Sequence, residues 1–478
     1  MSRAVTEEEM TQGISRLEAH TAQIMEEAKA RGIAVGVVDR TGRILYEKYF
    51  GYRDEEKKLP INRDTIFGMA SVTKSFTALS IMQMQKDGIL SVDDAVSAYI
   101  PEFTNKNQKE PVRLSHLMSH SGGYFPLPRI VVDKTAQEMG IKDSLEEELV
   151  DREDFAEEGI RRVAGRLDSQ THFTGRPGQR MSYCNDGFGL LSDIVRRHSG
   201  YGSFSAYLKE RIFKPLGMER SNISFLRNSL DENAATLYTL EDGTWRADHD
   251  YENDAFVLHG GGALKSTLGD MLKYVSMYLN EGKSQDGTQV IDRDSIEEMC
   301  RPRQIVKPGV YYGYGLEMSQ MEDMVLVEHG GSLPGVSSNL CFCPQKGIGV
   351  IVLCNTMDVP VYSIGTMALR LYCGLPLEAE RTEHMPRFWS EEEKRELAGD
   401  YISGEGDRFS IKELENGELS MKVNGTPIEM KSVYPWQGMV RKKYSDVYLT
   451  AFRDENGTVF AARYGRKPYL PQGLTFTG

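Results

Sequence analysis

"FGMASVTKSFTAL", Phe67 to Leu79, sets one serine and one lysine three residues apart inside an otherwise apolar run. On a helix, positions i and i+3 share a face, so the Ser71 hydroxyl and the Lys74 ammonium can meet. If Ser71 stands in the first turn, the unpaired amides and the dipole there favour negative charge. A serine hydroxyl is a poor nucleophile until a base takes its proton. Lysine can serve once desolvation, or a neighbouring cationic or polar group, lowers its pKa. The chain contains no second Ser-x-x-Lys, but two residues at a fixed spacing are a chance-level signal until other stretches join them.

Two stretches do so. In "TGRPGQRMSYCNDGFGLL" (174–191) a Pro-Gly turn precedes Tyr183-Cys184-Asn185 and an apolar helix follows. A tyrosine beside the serine and lysine can relay a proton to a leaving group, and an asparagine can bind a substrate amide. Tyr-x-Asn also occurs at 251–253, in an acidic loop, and at 278–280, at a helix end; neither has the turn before it. In "VEHGGSLPGVSS" (327–338), His329-Gly330-Gly331-Ser332 follows a strand-like run. Its glycines let a ligand backbone lie along that edge. The Ser332 amide is then available with the Ser71 amide as an oxyanion donor. A competing copy, His259-Gly260-Gly261, precedes a helix and reads as a turn with a core-packing role.

Ser-x-x-Lys, Tyr-x-Asn and a basic residue followed by glycine on a strand, in this order, resemble the serine β-lactamase and penicillin-binding-protein superfamily. Tyr183-Cys184-Asn185 stands where that set has Ser-Asp-Asn, and His329-Gly330-Gly331 where it has Lys-Thr-Gly. The form is similar to the class C-like branch, with its D-aminopeptidases, esterases and D-Ala-D-Ala carboxypeptidases. "LSHLMSHSGG" (114–123), "FKPLGM" (213–218), "GGALKSTLGDM" (261–271) and "DDAVSAYIPEF" (93–103) extend the likeness over most of residues 10–375. The resemblance implies Ser71 as nucleophile, Lys74 and Tyr183 handling protons, and His329 as electrostatic support. It also implies that Asn185, Gly330, Gly331 and Ser332 contact substrate. Histidine in the third motif makes its positive charge conditional on pH, which weakens the carboxypeptidase and β-lactamase readings.

Around these motifs the chain has 478 residues, 40% hydrophobic and 27% charged, as in a globular protein of two or three domains. The net charge of −13, with no Lys/Arg-rich block, disfavours nucleic acid and anionic membrane surfaces. No run reaches the roughly 18 apolar residues that would span a bilayer. The amino-terminal "MSRAVTEEEMTQGISRLEAH" has no apolar core of a secretory signal, so the expected location is the cytoplasm. Cysteines 184, 300, 341, 343, 354 and 373 form no C-x-x-C pair, and Cys341 and Cys343, on one face of an apparent strand, read as buried small hydrophobes.

No His-Glu-x-x-His occurs, and His116 with His120 lacks an evident third ligand. The glycines at 260–262 lack the context of a dinucleotide site. Neither a metal nor an organic cofactor is expected.

Helical spacing marks Glu7–Ala28 and Val72–Lys86, the latter ended by Asp87-Gly88, and Ser266–Asn280 with a serine cap; most of 114–200 is also helical. The charged "EEELVDREDFAEEGIRR" (146–162) reads as a solvated helix face. "GIAVGVVDRTGRILYEKYFGYRD" (32–54) reads as a hairpin turning at Arg40-Thr41-Gly42; "DMVLVEHGG" and "GIGVIVLCN" read as strands, and "VYSIGTMALRLYC" as a closing helix. An antiparallel sheet must then join both ends of this part, an α+β arrangement.

A polar, Pro-bearing linker follows over 376–392, with a capping box at Ser390 and Glu393. Asn-Gly pairs at 416, 424 and 456 then punctuate alternating runs, which predicts a small all-β, barrel-like (lipocalin-like) domain over 393–478. The fold class expected is thus a β-lactamase/transpeptidase-like domain, 1–375, followed by that barrel.

The function expected is acyl-enzyme hydrolysis on Ser71, foremost as a peptidase or amidase for small peptides or D-amino-acid-containing substrates. The alternatives are a carboxylesterase, a weak β-lactamase or D-Ala-D-Ala carboxypeptidase, and a silent ligand sensor. A pure binder needs no activated hydroxyl, and Ser71, Lys74 and Tyr183 are all present. A small molecule or peptide is the expected partner, and self-association into a homo-oligomer is compatible with the sequence.

Overall fold

The strand Gly32–Asp39 is buried at all but its last position and is an inner strand, third from one edge, of a nine-stranded antiparallel sheet. The computed structural model describes residues 6–127, 138–140, 152–223, 231–241, 243–251 and 258–474. Across the sheet the order is Leu59–Pro60, Ile44–Asp54, Gly32–Asp39, Ile348–Cys354, Val336–Cys343, Met324–Leu333, Glu317–Met321, Val310–Tyr312 and Gln304–Lys307. Val35 faces Lys48 on one side and Val352 on the other, so the early hairpin and the late strands close one sheet. The hairpin, both predicted strands and the helices Glu7–Ala28 and Val361–Cys373 form as their sequences predict.

Two glycines let a helix lie close on one face. A side chain at Gly36 would press on Leu272, and one at Gly349 on Val275, both in the helix Leu268–Leu279. The opposite face is covered by Glu7–Ala28 and Val361–Cys373, which bury Leu17, Ile24, Ile364 and Leu369 against Val35, Val350 and Val352. Beside the sheet a larger apolar core surrounds the helix Thr73–Lys86, whose residues from Thr73 to Met84 are all buried.

Two helix starts differ from expectation. The cap of Leu268–Leu279 is Thr267, whose hydroxyl accepts from Asp270 N, and not Ser266. Thr267 has the extended backbone a cap needs, while Ser266 belongs to a short bridge pairing Lys265–Ser266 with Phe67–Gly68. Ahead of Thr73 the chain makes a 3₁₀ turn, Ala70–Val72, so Ser71 precedes the α-helix proper. The charged stretch is a helix over Glu153–Asp168, where Glu158 pairs with Arg161 and Arg162 while Phe155, Ile160 and Val163 are buried. Its first residues, 146–151, lie outside the described residues.

Ser390 and Glu393 form the predicted capping box of Glu391–Leu397. A second nine-stranded antiparallel sheet then curls into a nearly closed barrel between Gly399 and Pro471. Each of the three Asn-Gly pairs sits at a hairpin of that sheet. The interior is filled by Trp389, Tyr401, Phe409, Met421, Leu449 and Tyr469, with Tyr401 stacked on Phe409 at 4.6 Å between centroids. No helix among the described residues is long and apolar enough to cross a membrane.

Candidate active site

Ala70 has φ 46°, a left-handed conformation that costs a non-glycine residue roughly 1–2 kcal/mol. Hydrogen bonds fix the strained turn. The Met69 carbonyl accepts from Ser338 Oγ at 2.7 Å, the Ala70 carbonyl from Thr73 Oγ1 at 2.6 Å, and Met69 N donates to Leu264 O at 2.8 Å. Ser71 is thereby held half-buried between the sheet and the helix Thr73–Lys86.

Lys74 reaches Ser71 from the first turn of that helix. Its Nζ lies 3.1 Å from Ser71 Oγ and donates to Asn185 Oδ1 at 2.8 Å and to the Gly261 carbonyl at 2.6 Å. The side chain is fully buried. Burial lowers its pKa below the usual lysine range, Tyr183 pulling the other way. These three partners are uncharged oxygens and, among the described residues, no carboxylate touches the ammonium, so a neutral amine is within reach of the serine proton.

Tyr183 and Asn185 flank the other side of the lysine. Nζ lies 4.8 Å from the Tyr183 ring centroid and 5.5 Å from that of Phe188. Asn185 begins the helix Asn185–His198, which directs its amide at Nζ. The Tyr183 segment hangs on His120: Ser182 N donates to the His120 carbonyl at 2.7 Å, Cys184 N to His120 Nδ1 at 3.2 Å, and the His120 and Tyr183 rings lie 4.0 Å apart. His116 Nδ1 accepts from Arg113 N at the start of the helix Leu114–Met118, so it too has a local structural partner.

The third motif lies on the strand Met324–Leu333. His329 is fully buried, its Nε2 2.9 Å from the Tyr312 hydroxyl and its Nδ1 2.7 Å from the Gly330 carbonyl. Burial, then Arg466 and Lys74, keep its pKa well below 6.5, so it is neutral at pH 7. Gly331 packs against Met69 and Ala70, where a side chain would overlap the Met69 carbonyl and Ser338 Oγ. Ser332 is exposed, its Oγ 3.4 Å from Asp358 Oδ1.

Ser71, Lys74, Tyr183 and Asn185 thus converge, Gly331 braces the nucleophile turn, and His329 stands behind Tyr312. Several neighbours escaped the sequence reading. The helix Leu258–Gly262 does pack Gly260 tightly against the Phe188 carbonyl, but it also turns the Gly261 carbonyl onto Lys74. His120 was weighed only as a metal ligand with His116, not as the support of the Tyr183 segment. Two barrel residues, Arg466 and Glu405, also reach the site. Glu405 Oε1 is 3.4 Å from Asn185 Nδ2, and Arg466 forms an ion pair with Glu317. Nothing local in a barrel hairpin announces contact with Tyr183 or Asn185, more than two hundred residues earlier.

A serine–lysine pair at the foot of a buried helix, beside the edge of an antiparallel sheet flanked by helices on both faces, defines the β-lactamase/transpeptidase-like class. The chain belongs to the Beta-lactamase family, which matches residues 17–371. It is 27% identical over 386 residues to a D-aminopeptidase of Gluconobacter oxydans, covering 78% of this chain and 64% of that protein. It is 32% identical over 210 residues to esterase EstB of Burkholderia gladioli, covering 43% of this chain and 50% of the esterase. The chain therefore spans under two thirds of the length of these relatives. The octameric penicillin-binding protein homologue from Pyrococcus abyssi superposes with a TM-score of 0.64 at 27% identity, over 96% of this chain and 99% of that one.

Proposed function

We propose that the protein is a serine hydrolase that forms an acyl-enzyme on Ser71, acting foremost as a peptidase or amidase on small peptides or D-amino-acid-containing substrates. The observation that carries this reading is Lys74 Nζ, fully buried and 3.1 Å from Ser71 Oγ. In the proposed reaction the Ser71 proton passes to neutral Lys74 as Oγ attacks the substrate carbonyl, and the amides of Ser71 and Ser332 take the oxyanion. Tyr183 protonates the departing amine and recovers a proton from Lys74, which is thereby neutral again to accept one from water, while Asn185 holds the substrate amide. Water then enters, and its addition in the reverse sense releases the acid and returns the proton to Ser71.

Charge around the site favours an amide substrate with a free or neutral amino end over one anchored by its carboxylate. His329 is neutral, and the cations beside the site are held by acids, Arg466 by Glu317 and Lys467 by Glu405 and Asp407. Glu405 adds negative charge next to Asn185, and the likeness to a D-aminopeptidase points the same way. Ester hydrolysis is the second reading, favoured by the likeness to esterase EstB. The octameric Pyrococcus homologue supports self-association as a further proposal, which light scattering on the purified chain tests.

A panel of D-aminoacyl anilides, D-Ala-D-Ala peptides, nitrocefin and short nitrophenyl esters ranks these readings. Anilides with a free amino group are expected to turn over fastest; turnover of esters with none on any amide would reverse the order. Ser71→Ala is expected to abolish turnover and also the mass adduct left by a fluorophosphonate probe, because nucleophile and base act as a unit. Wild-type turnover in that variant would remove Ser71 from the mechanism.

A further inference from the structure

The barrel's last hairpin joins Val459–Tyr464 to Lys467–Pro471 through Gly465 and Arg466, with Gly465 at φ 62°. This turn leaves the barrel and enters the site. The Arg466 carbonyl accepts from Tyr183 N at 3.3 Å, and the guanidinium carbon lies 5.8 Å from the centroid of the Tyr183 ring. Behind it, the Glu317 carboxylate, only 4% exposed on the sheet, accepts a hydrogen bond from Nη2 at 3.0 Å and lies at ion-pair distance, 2.9 Å, from Nε. A two-point pair of this kind fixes the plane and position of a guanidinium as no lysine could. Burying it beside a tyrosine that meets the lysine is a poor way to gain stability, since desolvation offsets most of the attraction.

We propose that Arg466 is a positioning residue of the acyl-transfer site: the barrel carries in the fixed cation that the His329 position lacks and sets it against Tyr183 and Lys74, so that the docked barrel is part of the catalytic unit. The inference rests on the acyl-enzyme reading and adds to it where the standing positive charge comes from. A guanidinium 5.8 Å from the centroid of the same Tyr183 ring that lies 4.8 Å from the Lys74 amine disfavours protonation of that amine and leaves it ready to accept the serine proton. Among the described residues, the other ionisable groups that face Lys74 from the elements packed around it are Tyr183, His120, His329, His259, Cys184, Asp186 and Glu405. Burial keeps all three histidines below the ordinary histidine range and pushes the Cys184 thiol up, so these four are uncharged at pH 7. Tyr183 and Glu405 favour the ammonium, and Arg466 opposes them. Asp186, raised to about 6, is turned toward Leu127 N and Cys184.

The test uses the full chain and the fluorophosphonate probe, with the rate of Ser71 labelling followed by intact mass from pH 5 to 10. Arg466→Gln removes the charge and keeps much of the bulk. It is expected to move the acidic limb of the rate upward by about one pH unit, and so to slow labelling about tenfold below that limb. Arg466→Lys retains a cation and is expected to keep the limb near its wild-type position while losing part of the rate, because one-point contact with Glu317 leaves the charge loose. Arg466→Met carries the same comparison if the glutamine variant misfolds by circular dichroism. A charge-free variant with the wild-type limb and a rate within about twofold overturns the inference while leaving the acyl-enzyme intact, as does a lysine variant whose limb moves with that of glutamine. Absence of any adduct on Ser71 in the wild type overturns the acyl-enzyme reading itself.

Discussion

Ala70 and Gly331 show how little freedom surrounds the nucleophile. The left-handed φ of Ala70 points Ser71 out of the turn, and the strand residue opposite has room only for a hydrogen. An alanine at 331 would overlap the Met69 carbonyl and Ser338 Oγ, the pair whose hydrogen bond holds the turn. Neither atom can yield without moving Ser71. Gly331→Ala is therefore expected to slow probe labelling about a hundredfold and to cost about 1–3 kcal/mol of stability, as overpacking does. Gly330 provides the contrast one residue earlier. A side chain there would come no nearer than 3.7 Å to the Ser338 carbonyl, so Gly330→Ala is expected to keep wild-type melting and label within about threefold. Similar labelling rates for the two variants would show that the strand does not brace the nucleophile.

At the scale of elements, the helix Asn185–His198 carries an acid in its first turn that burial turns into a liability. A carboxylate near a helix N-terminus is ordinarily favourable by some tenths of a kcal/mol. Asp186 is only 4% exposed, and desolvation raises its pKa from 3.8 to about 6 despite the hydrogen bond from Leu127 N. The folded state then holds the proton more tightly than the unfolded one, so the group costs stability as pH rises from about 4 through 6 and stops costing it as pH falls. Asp186→Asn keeps an acceptor for Leu127 N and removes the charge. Its unfolding free energy is expected to exceed that of wild type at pH 7.5 by an amount on the order of 1–3 kcal/mol, with a higher melting temperature, and to converge with it near pH 4. Equal melting at both pH values would mean the carboxylate is better solvated than its burial implies. Elements with strong local signals were legible from sequence alone: the capped helices, the 32–54 hairpin and the three Asn-Gly turns. The strands Gln304–Lys307, Val310–Tyr312 and Glu317–Met321 were not, being short and irregular in pattern. Ser71, Lys74, Tyr183 and Asn185 were found because their spacing is local or their flanking turns distinctive. His120, Arg466 and Glu405 act through contacts formed only in the folded chain.

For the molecule as a whole, the decisive joint is the seat of the barrel. Phe125 packs with Phe452, Ala461 and Leu470 of the barrel. Arg463 donates to the carbonyls of Ile305 and Val306 at 2.9 Å, and Arg180 to that of Arg453 at 3.1 Å. Guanidinium-to-carbonyl bonds of this kind fix orientation more than they add cohesion, because each exchanges one hydrogen bond for another. The tightest point is Gly404, where a side chain would overlap the Pro126 carbonyl. It precedes Glu405, the acid that reaches Asn185, and lies outside both the barrel interior and the ring of residues around Ser71. Gly404→Val is thus expected to leave the circular dichroism of both parts unchanged while lifting the barrel from its seat and withdrawing Arg466 and Glu405 together. Labelling of Ser71 at pH 7 should fall by about tenfold or more, and limited proteolysis should cut the 376–392 segment faster than in wild type. Faster cutting with undiminished labelling would show that the barrel merely rides on the hydrolase; a joint change would place it within the machinery that activates Ser71.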